Sequence, residues 1–243
     1  MTATAVARTP RRIDQEIVRR AGLAGLVRPA SEHAVRALSA ERALPVLAEL
    51  RALLPGGGLR RGATIAVGGE AASSVVLALL VAASRAGSWC GVVGMPQLSP
   101  IAAAELGVVL ERLAFVPQPG TEWATAVAAL IDGLDIVVAA ATGPVAPVVI
   151  SRLAARARQR GCVFIPCLRW GGADLTIEAT RSTWEGLGVG RGRLRSRELT
   201  LSAHGRGAAA IPREVLFRFG EPAEASPARD NVVPFRSARR GAA

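Results

Sequence analysis

The chain has 243 residues, half of them apolar, and carries 30 arginines, no lysine and 19 acids, for a net charge of +11. That length holds one domain with appendages and a substantial core, and the apolar content excludes disorder through the middle. The charge favours a polyanionic partner, nucleic acid first and an acidic protein surface second, although an all-arginine, alanine-rich usage also fits a genome of high GC content.

Residues 1–54 read as a peripheral helical segment. Ile13 and Ile17 stand four apart among alternating charges, Val35 and Leu38 continue the apolar spacing, and Pro45 breaks or restarts the helix. The first 20 residues contain no apolar h-region, so a signal peptide is not expected. Residues 64–84 have the length of a membrane span, but Glu70 and its small polar neighbours divide them into a strand and a helix, each too short to cross.

That divided stretch organises the rest. A Gly-rich turn (56–58) leads to an apolar strand (64–67), a tight loop (68–74) and an Ala/Leu/Val helix, the parts of a phosphate-binding loop. Counted from Gly68, the second glycine of such a loop falls on Ser73, the lysine on Ser74 and the magnesium-binding hydroxyl on Val75. No ammonium is available to reach a phosphate, and an apolar β-branched side chain cannot hold magnesium.

Strands then alternate with helices: strand 89–93, helix 100–106, strand 113–116, helix 121–131 with Thr121 as cap and Glu122 suiting the positive helix end, strand 136–140, helix 148–160 and strand 163–166. Continuous Val/Ile runs separated by helices predict a parallel sheet covered on both faces. Cys90 and Cys162 begin two of these strands, where a thiol acts as a small hydrophobe. With Cys167 they make an odd set without metal spacing, which points weakly to a reducing cytoplasm.

After Trp170 the pattern becomes Gly- and Arg-rich and alternating, predicting about three antiparallel strands appended to the parallel sheet. Arg191, Arg193, Arg195 and Arg197 are spaced by two, which on a strand puts them on one face, with Gly192, Leu194 and Ser196 on the other. Such a row is a phosphate- or acid-binding ridge, or an edge strand protected by charge. Arg169, Arg181 and Arg206 are candidates to extend it, and Trp170 and Trp184 are the nearby stacking residues. Beyond Gly220 lies a Pro/Ala/Arg-rich tail expected to be disordered alone, with Val232, Val233 and Phe235 as an apolar island suited to docking.

Other chemistry has little material. His33 and His204 are the only histidines, which leaves a triad or a histidine metal site without parts. Asp132 and Asp135 bracket Gly133 as a polar turn, and Glu70 reads as a local cap.

The run Gly68-Gly69-Glu70-Ala71-Ala72-Ser73-Ser74-Val75, followed by SWCGVV (88–93), LSPIAAAELGV (98–108) and LDIVVAAA (134–141), resembles the RecA-like ATPase core, and more narrowly the ImuA-prime type of mutasome protein. The resemblance covers about residues 55–170 and implies an α/β fold: a RecA-like parallel sheet with helices on both faces and antiparallel strands at the C-terminal side. The domains would be an N-terminal helical segment (1–54), a RecA-like core (55–220) and a flexible tail (221–243). A magnesium-directing acid of that family falls here on Ala140, and a catalytic Glu near Pro96 and Gln97. With lysine and both acids gone, phosphoryl transfer has no mechanism, so the expectation is a pseudo-ATPase with no catalytic residues, no cofactor and no metal. The implied role is a non-catalytic component of a DNA-damage-induced mutasome. Its partner would be an ImuB-type, Y-family-like polymerase protein and, through it, an error-prone replicative polymerase, with DNA contact through the arginine ridge. An N-terminal helix of RecA-like proteins packs on a neighbouring subunit, so residues 1–54 carry two readings, packing on their own core or self-association. The alternative is a SulA-like cell-division inhibitor, also RecA-like without an ATP site, acting by protein binding.

Overall fold

The computed structural model describes residues 43–167, 170–188 and 191–220. The chain divides into two compact units between Leu44 and Pro45, and every element below belongs to the second. The greater part of the N-terminal segment, His33, Arg169 and the tail with Val232, Val233 and Phe235 lie outside the described residues.

The helix expected to restart after Pro45 is instead a single 3-10 turn, Ala48–Leu50, because Pro55 and three glycines follow too soon for a helix to propagate. Leu50, Leu53 and Leu54 are nonetheless fully buried. The parallel strands are β1 (Ile65–Gly68), β2 (Cys90–Val93), β3 (Leu113–Val116), β4 (Ile136–Ala139) and β5 (Val163–Pro166). Between them run α1 (Ala72–Arg85), α2 (Pro100–Leu106), α3 (Trp123–Gly133) and α4 (Pro147–Arg160). The five strands and α2 to α4 form within two residues of their expected places, and α1 starts three residues early, inside the expected loop.

The sheet β3-β2-β4-β5 is wholly parallel, with register pairs such as Val92↔Phe115, Val92↔Val138 and Val138↔Ile165. A bridge between Thr64 and Phe164, with the Phe164 amide donating to the Ala63 carbonyl, places β1 beside β5. From β1 the ladder continues through β6 (Leu175–Gly188), β7 (Arg191–Gly205) and β8 (Arg213–Phe219). The full order is β3-β2-β4-β5-β1-β6-β7-β8. The three C-terminal strands pair antiparallel to one another, as expected, and they join the sheet through β6, which runs parallel to β1, pairing Ile65↔Leu175 through Gly68↔Glu178.

Right-handed crossovers carry the chain from β1 outward to β3 over one face and back from β3 to β5 over the other. On the return face Val127 and Ile131 of α3 and Leu153 and Ala157 of α4 bury against Ala66, Val93, Val137, Ala139 and Phe164, with Trp170 edge-on to Phe164 at 5.1 Å. Nine of the fourteen residues of α1 are buried, which is why its sequence is apolar nearly all round. Ser99 caps α2, accepting from the Ala102 amide at 3.4 Å. Pro100 opens that helix, and Gly107 closes it at φ +93°.

Candidate functional site

The strand, glycine turn and helix form where the sequence places them. β1 ends at Gly68, Gly69 turns the chain at φ +86°, and α1 starts at Ala72 behind Ala71, with no side chain capping its first amides. Glu70 is exposed and does not cap, contrary to expectation, because it lies outside the turn that starts the helix. Ser73 and Ser74 occupy the first turn half-buried, and Val75 is fully buried, so the hydroxyl position of a working loop points into the core here. The Glu178 carboxylate packs against Gly68, within 3.3 Å of where a Cβ would stand, and sets a negative charge beside the loop.

A cation reaches the start of α1 from far along the chain. Arg197 of β7 donates from Nη1 to the Ser74 hydroxyl at 3.3 Å, across 123 residues of sequence. Its Nε donates to Ser182 Oγ at 2.9 Å, and its guanidinium lies 4.9 Å from the centre of the Trp184 ring. Cross-strand pairing explains the cluster: Ser182 faces Leu199 and Trp184 faces Arg197, so the three side chains share one face. Nothing local predicts this contact, since it depends on the register of β6 against β7.

The arginine row is therefore partly reassigned. Arg197 is engaged, Arg195 is exposed, and Arg191 and Arg193 lie on β7 with their side chains outside the described ones. Arg181 does not extend the ridge. A register shift between Ala179 and Arg181 sets it opposite Thr200, on the face away from Arg197. Arg206 does not extend it either, since it follows β7 at the other end of the strand, nine residues or about 30 Å from Arg197. There it lines a second cleft, of about 570 Å³, with Arg60 and Asp174. On the face opposite Arg197, buried Ser196 donates to Glu185 at 2.8 Å, and Arg218 joins Glu198 at 2.7 Å and Glu185 at 3.9 Å. The hairpin thus turns Glu185 and Glu198 to the face away from Arg197.

Ala140, at the acid position, ends β4 with its amide on the Val93 carbonyl. Its own carbonyl accepts the Trp123 indole N–H at 2.7 Å, and a Cβ at Gly94 would stand 2.0 Å from that carbonyl oxygen. The indole thus ties the start of α3 to the end of β4. It also sets the start of α3: Thr121 sits in a 3-10 turn, Gly120–Glu122, and does not cap the helix, which begins at Trp123 without a side-chain cap. Around this point lies a cleft of about 590 Å³ at the carboxyl ends of β2, β3 and β4, lined by Gly94, Pro96, Pro117, Trp123, Ala140 and Thr142 among others. It opens where the outward and returning crossovers diverge, the usual place for a cleft in an open α/β sheet. The signal for it was the run of Pro and Gly after each of those strands.

The remaining titratable groups are structural. Burial, followed by the nearby Asp135, pushes the Cys90 and Cys162 thiols up to about 12. Asp135 accepts from Arg61 Nη1 at 2.8 Å and from the Trp89 amide at 2.9 Å, bracing the start of β2. Asp132, in the last turn of α3, holds Arg156 and Arg160 of α4. Among the described residues no helix is long and apolar enough to cross a membrane, and no group of His, Cys, Asp and Glu could hold a metal ion.

The family described as MT3502 N-terminal domain matches residues 52–172, which take in the loop, α1 and the strands through β5. The chain is also similar to an uncharacterized protein, Rv3395c, of Mycobacterium tuberculosis (strain ATCC 25618 / H37Rv), at 39% identity over 95 residues. That alignment covers 39% of this chain and 47% of the relative, so the chain spans about half the length of the curated protein it matches.

Proposed function

We propose that this chain is a RecA-like protein that has kept the scaffold and lost the hydrolysis, and that it serves as a non-catalytic accessory of a DNA-damage-induced mutasome in the cytoplasm. In this reading it supports translesion synthesis by binding an ImuB-type, Y-family-like polymerase protein. The observation that carries it is the phosphate loop itself, with strand, glycine turn and uncapped helix retained while Ser74 and Val75 stand at the lysine and hydroxyl positions. Two further features support it. The Ala140 carbonyl is taken up by Trp123 where the magnesium acid would project. The strand order continues past the parallel strands into an antiparallel hairpin, as the RecA-like core does. Phosphoryl transfer depends on positioned charge, and a loop without its cation and acids supplies none.

The test is genetic and biochemical together. Deleting the gene should abolish damage-induced mutation, and the purified chain should pull down its polymerase partner while turning over no ATP. Truncation after Gly220 should weaken that pairing. Measurable ATP turnover would overturn the reading. So would unchanged induced mutation together with cell filamentation on overexpression, which would mark a division inhibitor instead.

A further inference from the structure

We infer that the projecting half of the β6–β7 hairpin is a stacking platform for single-stranded nucleic acid, with Trp184 taking a base and Arg197 and Arg195 taking the flanking phosphates. The inference rests on the reading above only for the setting in which a single strand is met; the geometry carries the rest.

β6 leaves its partner β1 at Glu178, and β8 leaves β7 at Arg197. From Ala179 to Trp184 the pair is therefore backed by β8 and three-stranded, and only Glu185 to Gly188, with residues 191–196, runs on as a two-stranded arm of about 13 Å. On β7, Ala203, Leu201 and Leu199 are buried, and the next residue of the same row, Arg197, reaches Ser74 at the start of α1. The row thus leaves the core where the helix begins and runs on into solvent as exposed Arg195.

Trp184 is 52% exposed although it sits opposite Arg197 in the middle of a strand pair. One face of its ring is held by the guanidinium at 4.9 Å. A large aromatic left this open, with its orientation fixed from one side, is a ready surface for a nucleobase, and every base has a π-face to offer. Arg197 is fixed in turn by Ser182 and Ser74, so its charge is held in place before any ligand arrives. The acids of the hairpin, Glu185 and Glu198, are turned to the opposite face and paired there with Ser196 and Arg218. The stacking face is left cationic. A duplex would bring phosphates but no free base face, so the open indole favours a single strand.

The full-length chain would be titrated with an oligo(dT) and with a duplex of equal length, following tryptophan fluorescence at several salt concentrations. Saturable quenching by oligo(dT) is expected. Trp184→Ala should weaken single-strand affinity about tenfold and remove most of the quenching, leaving the weaker duplex binding unchanged. Trp184→Phe should fall between the two, and keeps the test valid if the alanine variant melts early. Arg197→Ala and Arg195→Ala should each reduce the slope of log affinity against log salt by about 0.7, the value for one phosphate on a single strand. The inference fails if oligo(dT) does not bind at low salt, if Trp184→Ala leaves its affinity unchanged, or if single strand and duplex lose equally. It fails also if these variants impair only pairing with a protein. Because polymerase pairing and induced mutation are read separately, loss of the stacking result would leave the accessory role standing.

Discussion

At the scale of single residues, the decisive positions are those where several elements meet on one atom. Ala140 is such a position: its carbonyl, not a side chain, meets the Trp123 indole, and Gly94 approaches the same oxygen. Gly94 has φ +75° and donates its amide to the Val116 carbonyl, so the strand ends of β2, β3 and β4 converge on it. A methyl group here meets both a left-handed backbone and the Ala140 oxygen. Gly94→Ala should therefore destabilise the protein by about 2–3 kcal/mol, read as a lower urea midpoint with an unchanged slope. Equal stability would mean that the loop after β4 moves freely and that the cleft is not a fixed feature.

At the scale of elements, the helices of the returning face are tied to one another by Asp132. Its carboxylate accepts Arg156 Nε at 2.7 Å and Arg160 Nε at 3.1 Å, and these bonds, Arg156 first, hold it at about 2, below its ordinary 3.8. A carboxylate lowered in the folded state stabilises above its unfolded value, and that contribution disappears as pH falls through the folded one. Asp132→Asn should thus lower the melting temperature slightly and constantly above pH 5. The difference from the unchanged protein should close between about pH 4 and 2, as followed by circular dichroism; a difference persisting at pH 2 would place the clamp elsewhere. Elements of this face were legible in the sequence because continuous runs of Val and Ile, and Pro or Gly at helix ends, act locally. Thr121 was misread because a 3-10 turn and an indole anchor, neither visible in propensity, set the start of α3. The contact of Arg197 with Ser74 was not legible at all. Strand register is a property of two segments: an extra residue in β6, Thr180, shifts it midway and takes Arg181 off the ridge, and a second irregularity sets residues 193–195 of β7 against Gly186.

At the scale of the whole molecule, the sheet has a closed half and an open one. β2, β4, β5 and β1 are each paired on both sides and covered by helices, whereas the far end of β6 and β7 is paired only within itself. Two-stranded arms are marginal in water, so this one draws its order from the core end, where Arg197 links it to α1 and Phe217 and Phe219 of β8 meet edge to face at 4.7 Å. Local opening should follow that gradient. Native-state hydrogen exchange is expected to show amides of β2, β4 and β5 opening only with global unfolding, those of residues 199–203 opening nearly as rarely, and those of residues 182–186 and 194–196 exchanging through a much cheaper local event. Oligo(dT) should slow that last group selectively if it lies along the arm, whereas a ligand seated in the cleft by Trp123 would protect the strand ends near Gly94 and Ala140 and leave the arm as it was. Uniform protection across both halves would mean that the hairpin folds as part of the sheet proper, and the arm could not then act as an independent reader of single strands.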